Sequence, residues 1–159
     1  MRRLYPIFAA AVILAMTLTG CAAPATDQPE PTPITPGGAS PQGTLGLAEE
    51  LRGAGAAVEL GEKTRQDFFE PEGQILLVDG EPLQVFEWPS AAQAAEAAAA
   101  ISADASSVGT TMITWVDTPH FYAEGSLIVL YVGSDAAVEA LLADALGDPI
   151  AVGAAPWLP

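Results

Sequence analysis

The chain has 159 residues, with 5 Lys+Arg against 20 Asp+Glu and a formal net charge of −15. Such an anionic surface repels phosphates and excludes nucleic-acid binding, whose affinity comes from Lys and Arg neutralising the backbone. A single cysteine excludes an internal disulfide, and the length beyond the first 44 residues suits one domain.

Arg2 and Arg3 precede a nearly unbroken apolar run, Ile7 to Met16, followed by the small or polar residues Thr17, Thr19 and Gly20 and then Cys21. A charged head, a short apolar core and a small-residue cleavage site make a secretory signal peptide. The run is shorter than the about 20 apolar residues of a membrane-spanning helix. Two arginines serve general secretion and twin-arginine export alike, and the rest of "RRLYPIF" matches the latter poorly.

Leu18, Thr19, Gly20 and Cys21 fit an aliphatic residue, a small residue, Gly or Ala, and Cys. This stretch, placed directly after the apolar run, resembles the lipobox of bacterial lipoproteins. The resemblance covers the first 21 residues. It implies a diacylglyceryl group on the Cys21 sulfur, cleavage between Gly20 and Cys21, and acylation of the new amino terminus. Ala22 after the cysteine implies that sorting to an outer membrane is allowed where one exists. Each buried methylene contributes about 0.8 kcal/mol, so two or three chains hold a protein where one does so only reversibly. Loss of Arg2 and Arg3 takes the net charge from −15 to −17. An anionic bilayer repels such a domain, so membrane contact is expected through the lipid alone.

Residues 21–44 read as the lipidated cysteine and a stalk. Residues 22–44 hold six Pro and three Gly and almost no large apolar side chain, too little to offset the entropy of ordering. At a polyproline rise the stalk reaches on the order of 70 Å, and less where Gly37-Gly38 bends it. A single domain is expected over residues 45–152, then a tail over 153–159 that includes Trp157.

Within the domain, Thr44 is placed to cap a short helix, "LGLAEELR", whose Leu47, Ala48 and Leu51 share a face. "AAVEL" reads as a strand, and Gly61 to Gly73 as a polar loop interrupted by Phe68-Phe69. "QILLVDGEPLQVFEW" predicts a hairpin around Asp79-Gly80. Ser90 and Gln93 form a capping box before "AAQAAEAAAAISA", an alanine helix able to lie close against a sheet. "TTMITWV", "HFYAE" and "SLIVLYV" read as three strands, and Ser134 or Asp135 caps "AAVEALLADAL", stopped by Gly147. The expected fold is α+β, a mostly antiparallel sheet with helices packed on it, in the order α-β-β-β-α-β-β-β-α. "LIVLYV" and "ILLV" are apolar on both strand faces, so both faces of the sheet centre need cover. The first helix, the Phe68-Phe69 loop and the tail can supply it, or else a ligand or partner does. Among small bacterial lipoprotein domains, some with no assigned activity are similar in general character, most visibly in "PHFYAEGSLIVLYVG". That likeness carries no functional residues across.

Candidate chemistry is sparse. "VGSDA" at 132–136 differs from a nucleophile elbow in having Ala136 where the second Gly belongs, and Ser134-Asp135 suits a helix start. His120 is the one side chain with an ordinary pKa near 7. It reads as a half-buried strand histidine. Trp115, His120 and Tyr122 are the candidates for a binding surface, set against the plainer role of core. Carboxylates are plentiful, but a catalytic pair is defined by separation in space. No calcium loop, phosphate loop or dinucleotide-binding glycine motif occurs, so no metal and no cofactor beyond the covalent lipid is expected.

The reading is a lipid-anchored extracytoplasmic envelope protein, on the outer leaflet of the cell membrane, whose domain is non-catalytic and binds an envelope partner or small ligand. The alternative is a small envelope hydrolase using carboxylates, with or without His120.

Overall fold

The structure is a computed structural model that describes residues 41–154. The leader, Gly20, Cys21, the stalk up to residue 40 and Trp157 lie outside the described residues.

Chain order is α1 (Gly43–Gly53), β1 (Val58–Thr64), β2 (Gly73–Val78), β3 (Glu81–Glu87), α2 (Ala91–Ala99), β4 (Ser107–Val108), β5 (Thr111–Met112), β6 (Pro119–Glu124), β7 (Leu127–Val132), α3 (Ala136–Leu146) and β8 (Ala151–Val152). Six strands form one sheet in the order β1-β2-β3-β7-β6-β8, antiparallel at every pairing. The α+β class is as expected.

Strand β7 lies near the middle, and Leu127 to Tyr131 are all 0 % exposed. Its alternate side chains feed two cores. Leu127, Val129 and Tyr131 join Leu76, Val78, Leu83, Val85 and Tyr122 beneath α1 and α3. Ile128 and Leu130 join Phe69, Phe86, Trp88 and Phe121 beneath α2 and the segment around Ala105, Ile113 and Trp115. Each such side chain, taken fully out of water, contributes about 1.5–3 kcal/mol before entropy is counted. Helix α2 packs through Ala94, Ala97 and Ala98, and the small methyl groups let it sit close to the strands. Cover is thus internal on both faces, thinning over β2, where Ile75 and Leu77 are half-buried.

The Asp79-Gly80 hairpin forms as expected, with φ of 51° and 94°. Asp79 also latches the turn to the start of β1: its carboxylate accepts from the Ala57 N–H at 2.8 Å, and its own N–H donates to the Ala57 carbonyl at 2.8 Å. Asp135 caps α3, its Oδ1 accepting from the N–H groups of Ala137 and Val138. Ser90 caps α2 by accepting from the Gln93 N–H at 3.3 Å, while its hydroxyl donates to Gln93 Oε1 at 3.1 Å.

Three local expectations are corrected. Thr44 is not the cap of α1, which begins at Gly43; the Thr44 N–H and hydroxyl instead donate to Glu87 Oε2 at 3.0 and 3.1 Å. A carboxylate from the end of β3 therefore does, from 43 residues away, what a capping side chain does locally. Gly61 to Thr64 belong to β1, across a bulge between Leu60 and Lys63. The buried Gln74 donates to the carbonyls of Gly61 and Glu62 at 2.7 and 3.1 Å, which satisfies oxygens that the irregular ladder leaves free. "TTMITWV" is not a full strand. Only Thr111–Met112 pairs, with Ser107–Val108. The alternation there records Ile113 and Trp115 packing onto the sheet while Met112 and Val116 face water. Ala151–Val152, at the end of the domain, adds β8 to the edge of β6.

A Cβ on Gly73 would lie 2.7 Å from Phe86 Cε1 and 2.9 Å from Thr64 Cγ2, and Phe86 is fully buried. Gly73→Ala is expected to cost about 1–3 kcal/mol, seen as a lower urea midpoint at unchanged slope. Gly53→Ala, with nothing within 4 Å, is expected to leave the midpoint unchanged or raise it.

Candidate functional site

The three residues expected to share a surface do not share one. His120 and Tyr122 alternate with Phe121 along β6 and face α3, whereas Trp115 packs on the other side of the sheet. Tyr122 is 1 % exposed and His120 7 %. The Trp115 indole N–H donates to the Ala105 carbonyl at 2.6 Å, and its ring meets Phe68 and Phe121 edge-on, with centroids 6.3 and 5.7 Å apart. All three pack into the body of the fold.

Beneath α3 lies a small polar cluster. The register sets His120 opposite Tyr131, and their rings stack at 5.8 Å with 30° between planes. His120 Nε2 lies 3.6 Å from Glu139 Oε1, outside hydrogen-bond distance, and has no hydrogen-bond partner among the described residues. Burial pushes the Tyr122 phenol up to about 12, with the negative charges of Glu139 and Tyr131 adding to it. An imidazole and a carboxylate converge here, between β6 and α3 and beside the Tyr131 ring.

The turn from β7 into α3 holds the second cluster. Tyr131 Oη accepts from the Asp135 N–H at 3.0 Å and donates to Glu81 Oε2 at 3.4 Å. Burial raises the Tyr131 pKa, against the lowering effect of the Asp135 N–H. Gly133 makes room for the phenol: a Cβ there would lie 2.5 Å from Oη. Glu81, Asp117 and Asp135 border a notch of about 340 Å³ at this turn. Ser134 is exposed, and Asp135 serves as the helix cap. Among the described residues no group of three His, Cys, Asp or Glu is placed to hold a metal ion.

A third feature lies apart from the residues singled out in the sequence, Trp115, His120 and Tyr122. Phe68 and Phe69, in the loop between β1 and β2, fold onto the sheet; Phe69 meets Phe86, Trp88 and Phe121 edge-on, with the Trp88 centroid at 5.2 Å. Gln93, Glu96, Ala97 and Ala100 recur along one face of α2 and its end, opposite that loop. Between loop and helix lies a groove of about 380 Å³, walled by Phe68, Phe69 and Trp88 and bordered by Glu70 and Glu96. Both carboxylates are exposed. Beyond Arg65 the chain has no Lys or Arg and fourteen Asp and Glu. The sequence signal for the groove was the aromatic pair inside an acidic loop; its partner wall on α2 could not be read.

No protein family, curated protein or solved structure matches the chain. Tyr122 ionises near 10 when unfolded and at about 12 when folded. Its contribution to stability is thus fully present below about pH 10 and is lost as pH rises through about 12. Urea midpoints are expected to fall between about pH 10 and about pH 12, and less steeply in Tyr122→Phe.

Proposed function

We propose that the chain is a lipid-anchored extracytoplasmic protein, held at the cell membrane by a diacylglyceryl group on Cys21, with a non-catalytic binding domain. The anchor rests on "LTGC" following the apolar run. The observation that carries binding is the groove of Phe68, Phe69 and Trp88 between Glu70 and Glu96, an apolar wall with charged edges and open to solvent. The polar clusters of the domain do structural work instead. Asp135 and Tyr131 hold the start of α3, and Glu139 sits over a histidine that is 7 % exposed. A proline-rich stalk suits this role, because it lifts an anionic domain from the headgroups and lets it meet a ligand or envelope partner.

Mass spectrometry of the mature protein is expected to find Cys21 as the first residue, its sulfur carrying diacylglyceryl. Cys21→Ala is expected to leave the membrane fraction and lose label from palmitate, while crosslinking from wild-type membranes recovers a partner through the groove. An unmodified thiol, or unchanged membrane retention in the variant, defeats the anchor. Turnover of an ester, peptide or glycoside that disappears in His120→Ala defeats the non-catalytic reading.

A further inference from the structure

Two carboxylates reach the groove from different elements, Glu70 from the β1–β2 loop and Glu96 from α2. No ion pair among the described residues engages either one; Arg65, the basic residue closest in sequence to Glu70, is 3.9 Å from Glu72 instead. The wall between them is aromatic, and Ala97 faces it from the helix. An anionic ligand meets two like charges in this groove. A neutral apolar ligand leaves both unused. A hard metal cation needs six or more converging oxygens, and no set of three metal-binding side chains is found among the described residues. An organic cation suits what is present: its alkyl groups cover the aromatic wall, of which the half-buried Phe68 is the most accessible ring, and the carboxylates neutralise its charge.

We infer that this groove binds a small organic cation of the alkylammonium or quaternary ammonium class. The inference rests on the domain being a binding module, and it specifies the ligand. At about 380 Å³ the groove lies near the lower end of ordinary ligand sites, in keeping with a headgroup-sized amine. The site is shallow and screened, so affinity is millimolar, on the order of 1 mM. Selectivity comes from the two carboxylates; Arg65, which borders an adjoining hollow with Phe68 and Glu70, pairs with Glu72 at 3.9 Å.

The test is an NMR titration of the purified, lipidated full chain in neutral detergent micelles. The probes are choline and its uncharged isostere 3,3-dimethylbutan-1-ol. Choline is expected to shift the amides of Phe68, Phe69 and Ala97 and the Trp88 indole N–H saturably, binding about fivefold or more tightly than the isostere. Glu70→Gln and Glu96→Gln, both at exposed positions that leave folding unchanged, are each expected to weaken choline by about threefold. Phe68→Leu keeps an apolar wall but removes a ring, and is expected to weaken choline more than the isostere. Equal response to both probes, no response to choline, or response to a lysine-rich peptide alone overturns the inference. If choline fails while membrane retention and partner crosslinking persist, the ligand class falls and the binding module stands. If choline and partner crosslinking both fail, the binding module falls with the ligand class, while membrane retention tests the anchor alone.

Discussion

Strand β7 cannot tolerate water on either side. Leu127, Val129 and Tyr131 project one way and Ile128 and Leu130 the other, and all five are fully buried. A strand of this kind commits the protein to three layers, because an antiparallel sheet with one wet face would leave half of those side chains exposed. Helices α1 and α3 answer for one side. The other is closed by α2, by the Phe68-Phe69 loop and by the irregular segment that carries Ile113 and Trp115. That second cover is built from thin or irregular pieces, and the groove lies where two of them meet.

The domain spends its polar side chains on its own backbone. Gln74 satisfies the carbonyls of the β1 bulge, Glu87 takes the exposed amide of α1, Asp79 ties a hairpin to its neighbouring strand, and Asp135 caps α3. Each of these groups sits where a free backbone donor or acceptor would otherwise be stranded. This accounts for these four side chains without any chemistry on a substrate. Glu70 and Glu96 are not used in this way and border the groove instead.

The structure places the charged and aromatic features of the groove on separate pieces of chain. Phe68 to Glu70 come from a loop, Trp88 from the end of β3, and Glu96 and Ala97 from α2. Their meeting depends on Phe69 packing edge-on against Trp88 and Phe86, which fixes the loop to the sheet. A buried aromatic contact thereby helps to set the groove, so groove shape and core packing are coupled through Phe69.

The linear order of residues was enough to determine the class of fold, the Asp79-Gly80 turn, the Ser90 cap, a cap on α3 at Ser134 or Asp135, and the need for cover on both faces of β7. These depend on periodicity and on side chains that bond within a few residues, which are local properties. Tertiary structure alone decided that Glu87 caps α1 from 43 residues away, that "TTMITWV" packs as an irregular cover, and that His120 and Trp115 lie on opposite faces. It alone decided that Glu70 and Glu96 share a groove. Those outcomes turn on sheet order and on which elements land side by side, and spacing along a chain does not encode distance between residues that only packing brings together.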